Sequence, residues 1–331
     1  MPEGHSVHRI ARQFRRNFLD APITASSPQG RFAEGAEVLS GRSLHRVDAV
    51  GKQMFAEFDG DLWLRVHLGL YGAWDFAGMI STDPTIASAS GRMGQTNLRG
   101  TFLESDLIDR GGEDSIASIG APRNTRMRMS EQTRNLAGPE DESFPPAPIG
   151  AVRLRLLTET AVADLRGPTA CELLTPAQVN AVIDRLGPDP LMDDSAAAEQ
   201  KFVEAVRRRG VAIGQLLMDQ SVVAGIGNVY RAEILFRARL SPHTPGKLIP
   251  EDVLRALWRD WSVLLTIGVE TGQMMTMDNL SHEDYVNAMA NLGDRHWVYK
   301  REGLPCRRCG TNIALEVMQA RKLYWCPGCQ L

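Results

Sequence analysis

Four of the five cysteines lie in the last 26 residues, as Cys306-x-x-Cys309 and, sixteen residues later, Cys326-x-x-Cys329. A C-x-x-C segment turns both sulfurs toward one point, and two such segments make a tetrahedral thiolate cage for zinc. The intervening sixteen residues suit a two-stranded hairpin between the knuckles. Two disulfides are the competing use of these thiols. No secretory signal is evident at the amino terminus, and a reducing cytosol keeps thiols reduced, so the expectation is one bound zinc in a cytoplasmic protein. Zinc closed in by four thiolates is usually structural, so the cage names no chemistry by itself.

The chain has 331 residues, enough for two domains and a small appendage. It is 43% hydrophobic and 23% charged, an ordinary globular composition. No apolar run reaches the length of a membrane span. A net charge of −3 argues against nucleic acid, but the charge is unevenly spread. Residues 201–247 carry eight Lys/Arg against three acids, and residues 295–331 carry seven against two. Local basic stretches of this kind are either the footprint of a phosphate binder or solvated helix faces.

Val7, Ile10, Ala11, Phe14 and Phe18 recur at helical spacing after Gly4, with Arg9, Arg12, Arg15 and Arg16 on the other faces and Ser6 as the expected N-cap. Short β-type runs follow at 43–49, 54–58, 62–68, 72–76, 152–157 and 161–165. Residues 78–147 interrupt them with a Gly-, Ser-, Asp-, Arg- and Pro-rich stretch, read as a flexible surface insertion. From Thr175 the period becomes helical, with helices expected at 176–186, 199–207, 212–217, 230–237 and 250–271. The expected fold is a multidomain α+β chain. Residues 1–173 form a helix-led antiparallel β-sandwich, 174–294 a helical domain and 295–331 a zinc-finger β-hairpin.

Several groups can carry chemistry. Removal of Met1 is favoured by a small second residue and would leave a free secondary amine on Pro2, next to Glu3. An α-amine with a pKa of roughly 8 is partly unprotonated near neutrality. Amines form Schiff bases with carbonyl carbons, and a carboxyl group beside one serves as acid or base. A frayed terminus without a role is the plainer reading of these residues alone. Gly225-Ile226-Gly227-Asn228 lacks the preceding strand of a dinucleotide loop, but two glycines before a helix let N–H groups and an amide face one anion. Arg209 and Arg231 are near it in sequence. Lys52 follows a glycine at a strand start, and Leu70-Tyr71 lies in the Gly-flanked turn His67-Leu68-Gly69-Leu70-Tyr71-Gly72. An exposed apolar pair of that kind can wedge between bases.

Together these pieces resemble the Fpg/Nei DNA glycosylases. The resemblance rests on Pro2-Glu3-Gly4-His5, Gly51-Lys52, the 67–72 turn and Leu186-Gly187-Pro188-Asp189-Pro190-Leu191. It continues through Leu217-Met218-Asp219-Gln220 with Gly225 to Glu233, and ends in the two cysteine knuckles. Only 78–147 lies outside it. The terminus and Gly69-Leu70-Tyr71 look closest to the endonuclease VIII branch of actinobacteria. The resemblance implies a bifunctional DNA glycosylase/AP lyase of base-excision repair acting on damaged duplex DNA laid between the domains, as a monomer in the bacterial cytoplasm, with structural zinc and no small-molecule cofactor. It implies Pro2 as the nucleophile at C1′, Glu3 as the acid, and β,δ-elimination through a Schiff base. Lys52, Asn228 and Arg321 would hold phosphates around the extruded nucleotide, and Leu70 and Tyr71 would fill the vacated stack. Ser6 stands where the Fpg branch has a glutamate, which favours oxidised pyrimidines over 8-oxoguanine. Asp164-Leu165-Arg166-Gly167 is similar to a shortened family loop, so Arg166 is expected to reach the orphan base. A non-catalytic DNA-binding protein on the same scaffold is the alternative.

Overall fold

The computed structural model describes residues 2–80, 118–120 and 144–331. The rest of the expected insertion, 81–117 and 121–143, lies outside the described residues. By contact density the chain divides into two units, Met1–Ile183 with Glu270–Gly272, and Asp184–Val269 with Gln273–Leu331. The first boundary falls at 183 rather than 173, because a helix at Pro176–Ile183 packs on the strands that precede it.

In the first unit, helix α1 (Gly4–Asn17) carries the expected apolar stripe, with Val7, Ile10, Ala11 and Phe14 buried. One expectation for this helix needs correction. Glu3, not Ser6, is its N-cap, and the Glu3 carbonyl accepts the Ser6 N–H at 3.1 Å. Several polar residues of the helix, His5, Ser6, His8, Arg9 and Gln13, are buried, while Arg15 and Arg16 are exposed.

Strands β2 (Leu44–Val50), β3 (Gln53–Phe58), β4 (Leu62–His67) and β9 (Ala170–Leu174) form one antiparallel sheet in that order. The second sheet runs β1 (Thr24–Ser26), β7 (Val152–Leu157), β8 (Ala161–Arg166), β5 (Ala73–Gly78), β6 (Ser118–Gly120). Alternating positions from both sheets, such as Met54, Ala56, Leu64 and Val66 on one and Trp74, Phe76, Leu154 and Leu165 on the other, meet α1 in one apolar core. Phe14 anchors it, with ring centroids 4.8 Å from Trp74 and 5.4 Å from Phe76. Strand β6 corrects the reading of 78–147 as surface throughout: residues 118–120 pair with β5, and Ile119 is buried in that core.

The second unit is helical: Ala196–Arg207, Ile213–Leu216, Asn228–Arg237, most of Glu251–Thr271, and His282–Ala290. The last was not foreseen, although Ser281 caps it by accepting the Asp284 N–H at 3.1 Å. A hairpin of β10 (Ala314–Met318) and β11 (Arg321–Trp325) closes the chain. Among the described residues no helix is long and apolar enough to cross a membrane.

One surface contact in the first unit involves a titratable histidine. His45 on β2 bridges Asp59 (Nε2–Oδ1 2.6 Å) and Asp20 (Nδ1–Oδ1 3.5 Å), and the Asp59 hydrogen bond, then that of Asp20, raises its pKa. A raised folded-state pKa adds stability below the unfolded value and loses it as pH rises through the folded one. His45→Gln should therefore lower the denaturation midpoint at about pH 5.5 and leave it unchanged at about pH 8.5. An equal loss at both values would refute the bridge.

Candidate active site and nucleic-acid interface

The amino terminus is built into the fold. Pro2 and Glu3 are buried, with Glu3 fully so, where a frayed end would be exposed. They lead directly into α1, whose first-turn N–H groups place partial positive charge at that point. Burial and this potential both disfavour a protonated amine at that point. His5 behaves in the same sense: burial first, then the Arg9 charge, holds it well below the usual histidine range, so it is neutral. Its Nε2 lies 3.2 Å from the Ser6 hydroxyl.

Lys52 and the Leu70–Tyr71 turn share one end of the β2–β3–β4–β9 sheet. Val50 pairs with Gln53, so Gly51-Lys52 is a two-residue hairpin loop in which Gly51 supplies φ +57°. Gln53 pairs in turn with His67, the last residue of β4. Burial, and then the charges of Lys52 and Arg65, lower the His67 pKa. The turn after it closes through the Gly72 N–H on the Leu68 carbonyl at 2.9 Å. At its tip Leu70 is 43% and Tyr71 60% exposed, unusual for large apolar side chains and what a wedge requires.

Arg166 does not join them. Its guanidinium is buried, ion-paired to Asp75 on β5 and donating to the Ile149 carbonyl at 2.8 Å. This corrects the expectation that it reaches toward a base: a group enclosed by a carboxylate and a carbonyl is part of the scaffold.

In the second unit the structure brings Asn228 and Arg321 together. Gln220 shapes the glycine loop, with its Oε1 accepting from the Gly225 N–H (3.0 Å) and its Nε2 donating to the Ile226 carbonyl (3.1 Å). The loop delivers Asn228 as the first residue of the helix Asn228–Arg237, at its anion-attracting end. Asn228 Nδ2 donates to the carbonyl of Lys322 at 2.9 Å, beside Arg321. Arg231, fully buried, donates to Asn228 Oδ1 (2.5 Å) and to the same carbonyl (3.1 Å). These bonds use one amide N–H and the amide oxygen and so orient the Asn228 side chain. Arg231 thus fixes Asn228. Arg321 begins β11 after a turn at Gln319-Ala320, both with left-handed φ (+50° and +57°).

The hairpin is held to the helix by Glu233, a residue with no role legible in the sequence. Glu233 is fully buried and accepts four hydrogen bonds, from the Thr276 hydroxyl (2.5 Å) and the N–H groups of Trp297 (2.8 Å), Val298 (2.9 Å) and Tyr299 (2.8 Å). Arg308 adds a second tie by lying over the Trp297 and Phe236 rings at 4.4 and 4.9 Å.

The sulfurs of Cys306, Cys309, Cys326 and Cys329 all lie within 4.8 Å of one another, with Cys306–Cys329 at 3.9 Å and Cys309–Cys326 at 3.4 Å. Tetrahedral zinc with Zn–S bonds of about 2.3 Å needs sulfurs roughly 3.8 Å apart, so the donor set fits. Hydrogen bonds from Thr311 pull the Cys309 thiol down to about 6, whereas burial first, and then the neighbouring sulfurs, push Cys326 and Cys329 up. Four thiolates share so small a space only around a cation. Gln330 braces the site, accepting from the Cys326 N–H (2.8 Å) and donating to the Leu240 carbonyl (3.0 Å).

Two outcomes follow from this second unit. Glu233→Gln replaces an acceptor oxygen by a donor and leaves buried N–H groups short of partners, so unfolding free energy should drop by about 2–3 kcal/mol in a denaturant titration. No change would show that the carboxylate is dispensable. Elemental analysis should find one zinc per chain, and its chelation should weaken DNA binding by about tenfold or more through loss of the hairpin. Full affinity in the zinc-free protein would argue against a staple.

Comparison with known proteins extends these observations. Residues 1–104 match the formamidopyrimidine-DNA glycosylase N-terminal domain, 186–279 its H2TH domain, and 303–331 the zinc finger found in FPG and IleRS. Endonuclease 8 1 of Mycobacterium tuberculosis is 36% identical over 332 residues, covering all of both chains. Formamidopyrimidine-DNA glycosylase of Thermus thermophilus is 38% identical over 146 residues, which are 44% of this chain and 54% of that protein. In fold, Lactococcus lactis Fpg in complex with abasic-site DNA superposes with a TM-score of 0.65 at 18% identity, covering 99% of each chain. The MutM (Fpg) protein of Thermus thermophilus gives 0.61 at 23% identity, covering 99% of this chain and 98% of that one. A full-length relative and three successive domain matches assign the chain to the Fpg/Nei family, as a DNA glycosylase and AP lyase of base-excision repair.

Proposed function

We propose that the chain excises oxidised pyrimidines from duplex DNA and cuts the resulting abasic site, acting as a monomer in the bacterial cytoplasm with the Pro2 amine as nucleophile. The observation that carries this reading is the burial of Pro2 and Glu3 at the positive end of α1. After removal of Met1 the Pro2 nitrogen attacks C1′, and the C1′–N bond breaks as the base leaves with a proton. Glu3 protonates the sugar ring oxygen as it opens, giving an iminium between Pro2 and C1′. Loss of a proton from C2′ expels the 3′ phosphate, and a second elimination expels the 5′ phosphate, which leaves a one-nucleoside gap with phosphate at both ends. Hydrolysis of the iminium frees the enzyme.

The remaining residues bear on extraction. Flipping a paired base costs a few kcal/mol, least where damage has weakened pairing. Lys52, Asn228 and Arg321 would hold the phosphates that flank the lesion, while Leu70 and Tyr71 fill the gap left in the stack. Ser6, in place of the Fpg-branch glutamate, supports the pyrimidine assignment. Zinc would be held by Cys306, Cys309, Cys326 and Cys329 and would stabilise the hairpin that carries Arg321.

Borohydride should trap a covalent adduct between the mature protein and an abasic-site duplex, mapping by mass spectrometry to Pro2. Pro2→Gly should slow base excision by about a hundredfold, and Glu3→Gln should suppress it at least as far while DNA binding persists. Binding without any adduct in the wild type would establish the non-catalytic alternative. A panel pairing thymine glycol and dihydrouracil against 8-oxoguanine should rank the pyrimidines first, and the reverse order would overturn the lesion assignment.

A further inference from the structure

Strand β6 is a described part of the segment between β5 and β7, and it lies against the foot of the Leu70–Tyr71 turn. Gly120 pairs with Ala73 and Ile119 with Trp74, so the pairing begins one residue after Gly72, where the turn ends. The approach is main chain to main chain. A Cβ on Gly120 would sit 2.5 Å from the Gly72 carbonyl oxygen and 2.6 Å from the Ala73 Cα, and Gly120 holds φ +134°, which favours glycine. On the other flank, a Cβ on Gly167 would meet the Tyr71 carbonyl oxygen at 3.0 Å, and Gly69 faces the Thr169 side chain. The turn is thus gripped on two sides by backbone while its apolar tips stay exposed.

Two features fix β6 in place. Ile119 is buried in the apolar core beside Trp74, which anchors it from below. Asp75, the partner of Ser118, is ion-paired to Arg166, itself bonded to the Ile149 carbonyl after the insertion. Without β6, β5 would be the open edge of its sheet, and the foot of the turn would have support on one flank only.

We propose that β6 is a positioning element for the Leu70–Tyr71 turn, with Gly120 its closest contact, so that the insertion takes part in extracting a paired lesion from duplex DNA. The proposal rests on the reading of that turn as the wedge. A turn driven into a base stack must resist being pushed back, and a second flanking strand supplies that stiffness. Where no base pair needs opening, the support is not required.

The test is a split between substrates. In the full-length protein, Gly120→Val should lower single-turnover excision of an oxidised pyrimidine in duplex DNA by on the order of tenfold. Borohydride trapping at an abasic site in single-stranded DNA should stay within about twofold of wild type. Leu70→Ala should show the same split. Wild-type duplex excision by Gly120→Val, with Leu70→Ala impaired, would overturn the role of β6 and leave the wedge standing. Unimpaired Leu70→Ala and Tyr71→Ala variants would instead remove the wedge, and the proposal with it. Should Gly120→Val fail to fold, Ile119→Ala loosens the same strand without touching the main-chain approach. It should give the split at smaller size, and an equal loss on both substrates in a folded Ile119→Ala would overturn the proposal.

Discussion

The second unit depends on the burial of the Glu233 carboxylate. An ionised group removed from water is strongly destabilising unless hydrogen bonds replace its hydration. Here one hydroxyl and three successive backbone N–H groups do so. Those three, from Trp297 to Tyr299, belong to the segment that leads into the first cysteine knuckle, while Glu233 lies on the helix that begins with Asn228. One side chain therefore ties the start of the zinc module to the helix whose end attracts anions. The zinc then fixes the module internally, and the bond from Asn228 to the Lys322 carbonyl closes the loop. The metal organises Arg321 indirectly and stands outside the chemistry.

The first unit solves a different problem, presenting exposed apolar side chains without letting them collapse. Leu70 and Tyr71 stay out because the main chain beneath them is enclosed by Gly120 on one flank and Gly167 on the other. At the terminus the constraint is reversed. Pro2 and Glu3 are held in, and the first turns of the helix they start bury polar residues, His5, Ser6, His8 and Arg9, as well as apolar ones. The two devices are opposite in kind, one holding apolar side chains out and the other holding the terminus in.

Much of this was legible in the sequence, for identifiable reasons. The period-3.6 stripe from Val7 to Phe14 and the turn-bounded β-type runs of β3 and β4 are local signals, and the structure places them within a residue or two. The cysteine spacing is local as well. What escaped depends on partners distant along the chain. Arg166 reads as an exposed loop arginine until Asp75 is seen across the β5–β8 pair. Arg9 has the same appearance in sequence as the solvated Arg15 and Arg16, yet it is buried. Strand β6 is three residues within a polar stretch, too short to show a period, and only β5 makes it a strand.

The same principle revises the meaning of the basic stretches. Of the eight cations between 201 and 247, Arg231 is buried, Arg237 is clamped by Asp260, and Arg207 and Arg208 pair with Glu251 and Glu204. Near the knuckles Arg295 is buried against backbone carbonyls, and Arg307 and Arg308 pair with Asp294 and Asp278. Arg231, Arg237 and Arg295 build the scaffold, while the exposed Arg207 and Arg208 have their charge partly offset by neighbouring carboxylates. The Lys/Arg count of these stretches therefore overstates the charge they can offer to DNA. A binding surface of that kind releases fewer counterions than its arginine count implies, so its affinity falls less steeply with salt than fifteen phosphate-bound cations would require. That is consistent with a chain whose net charge is negative.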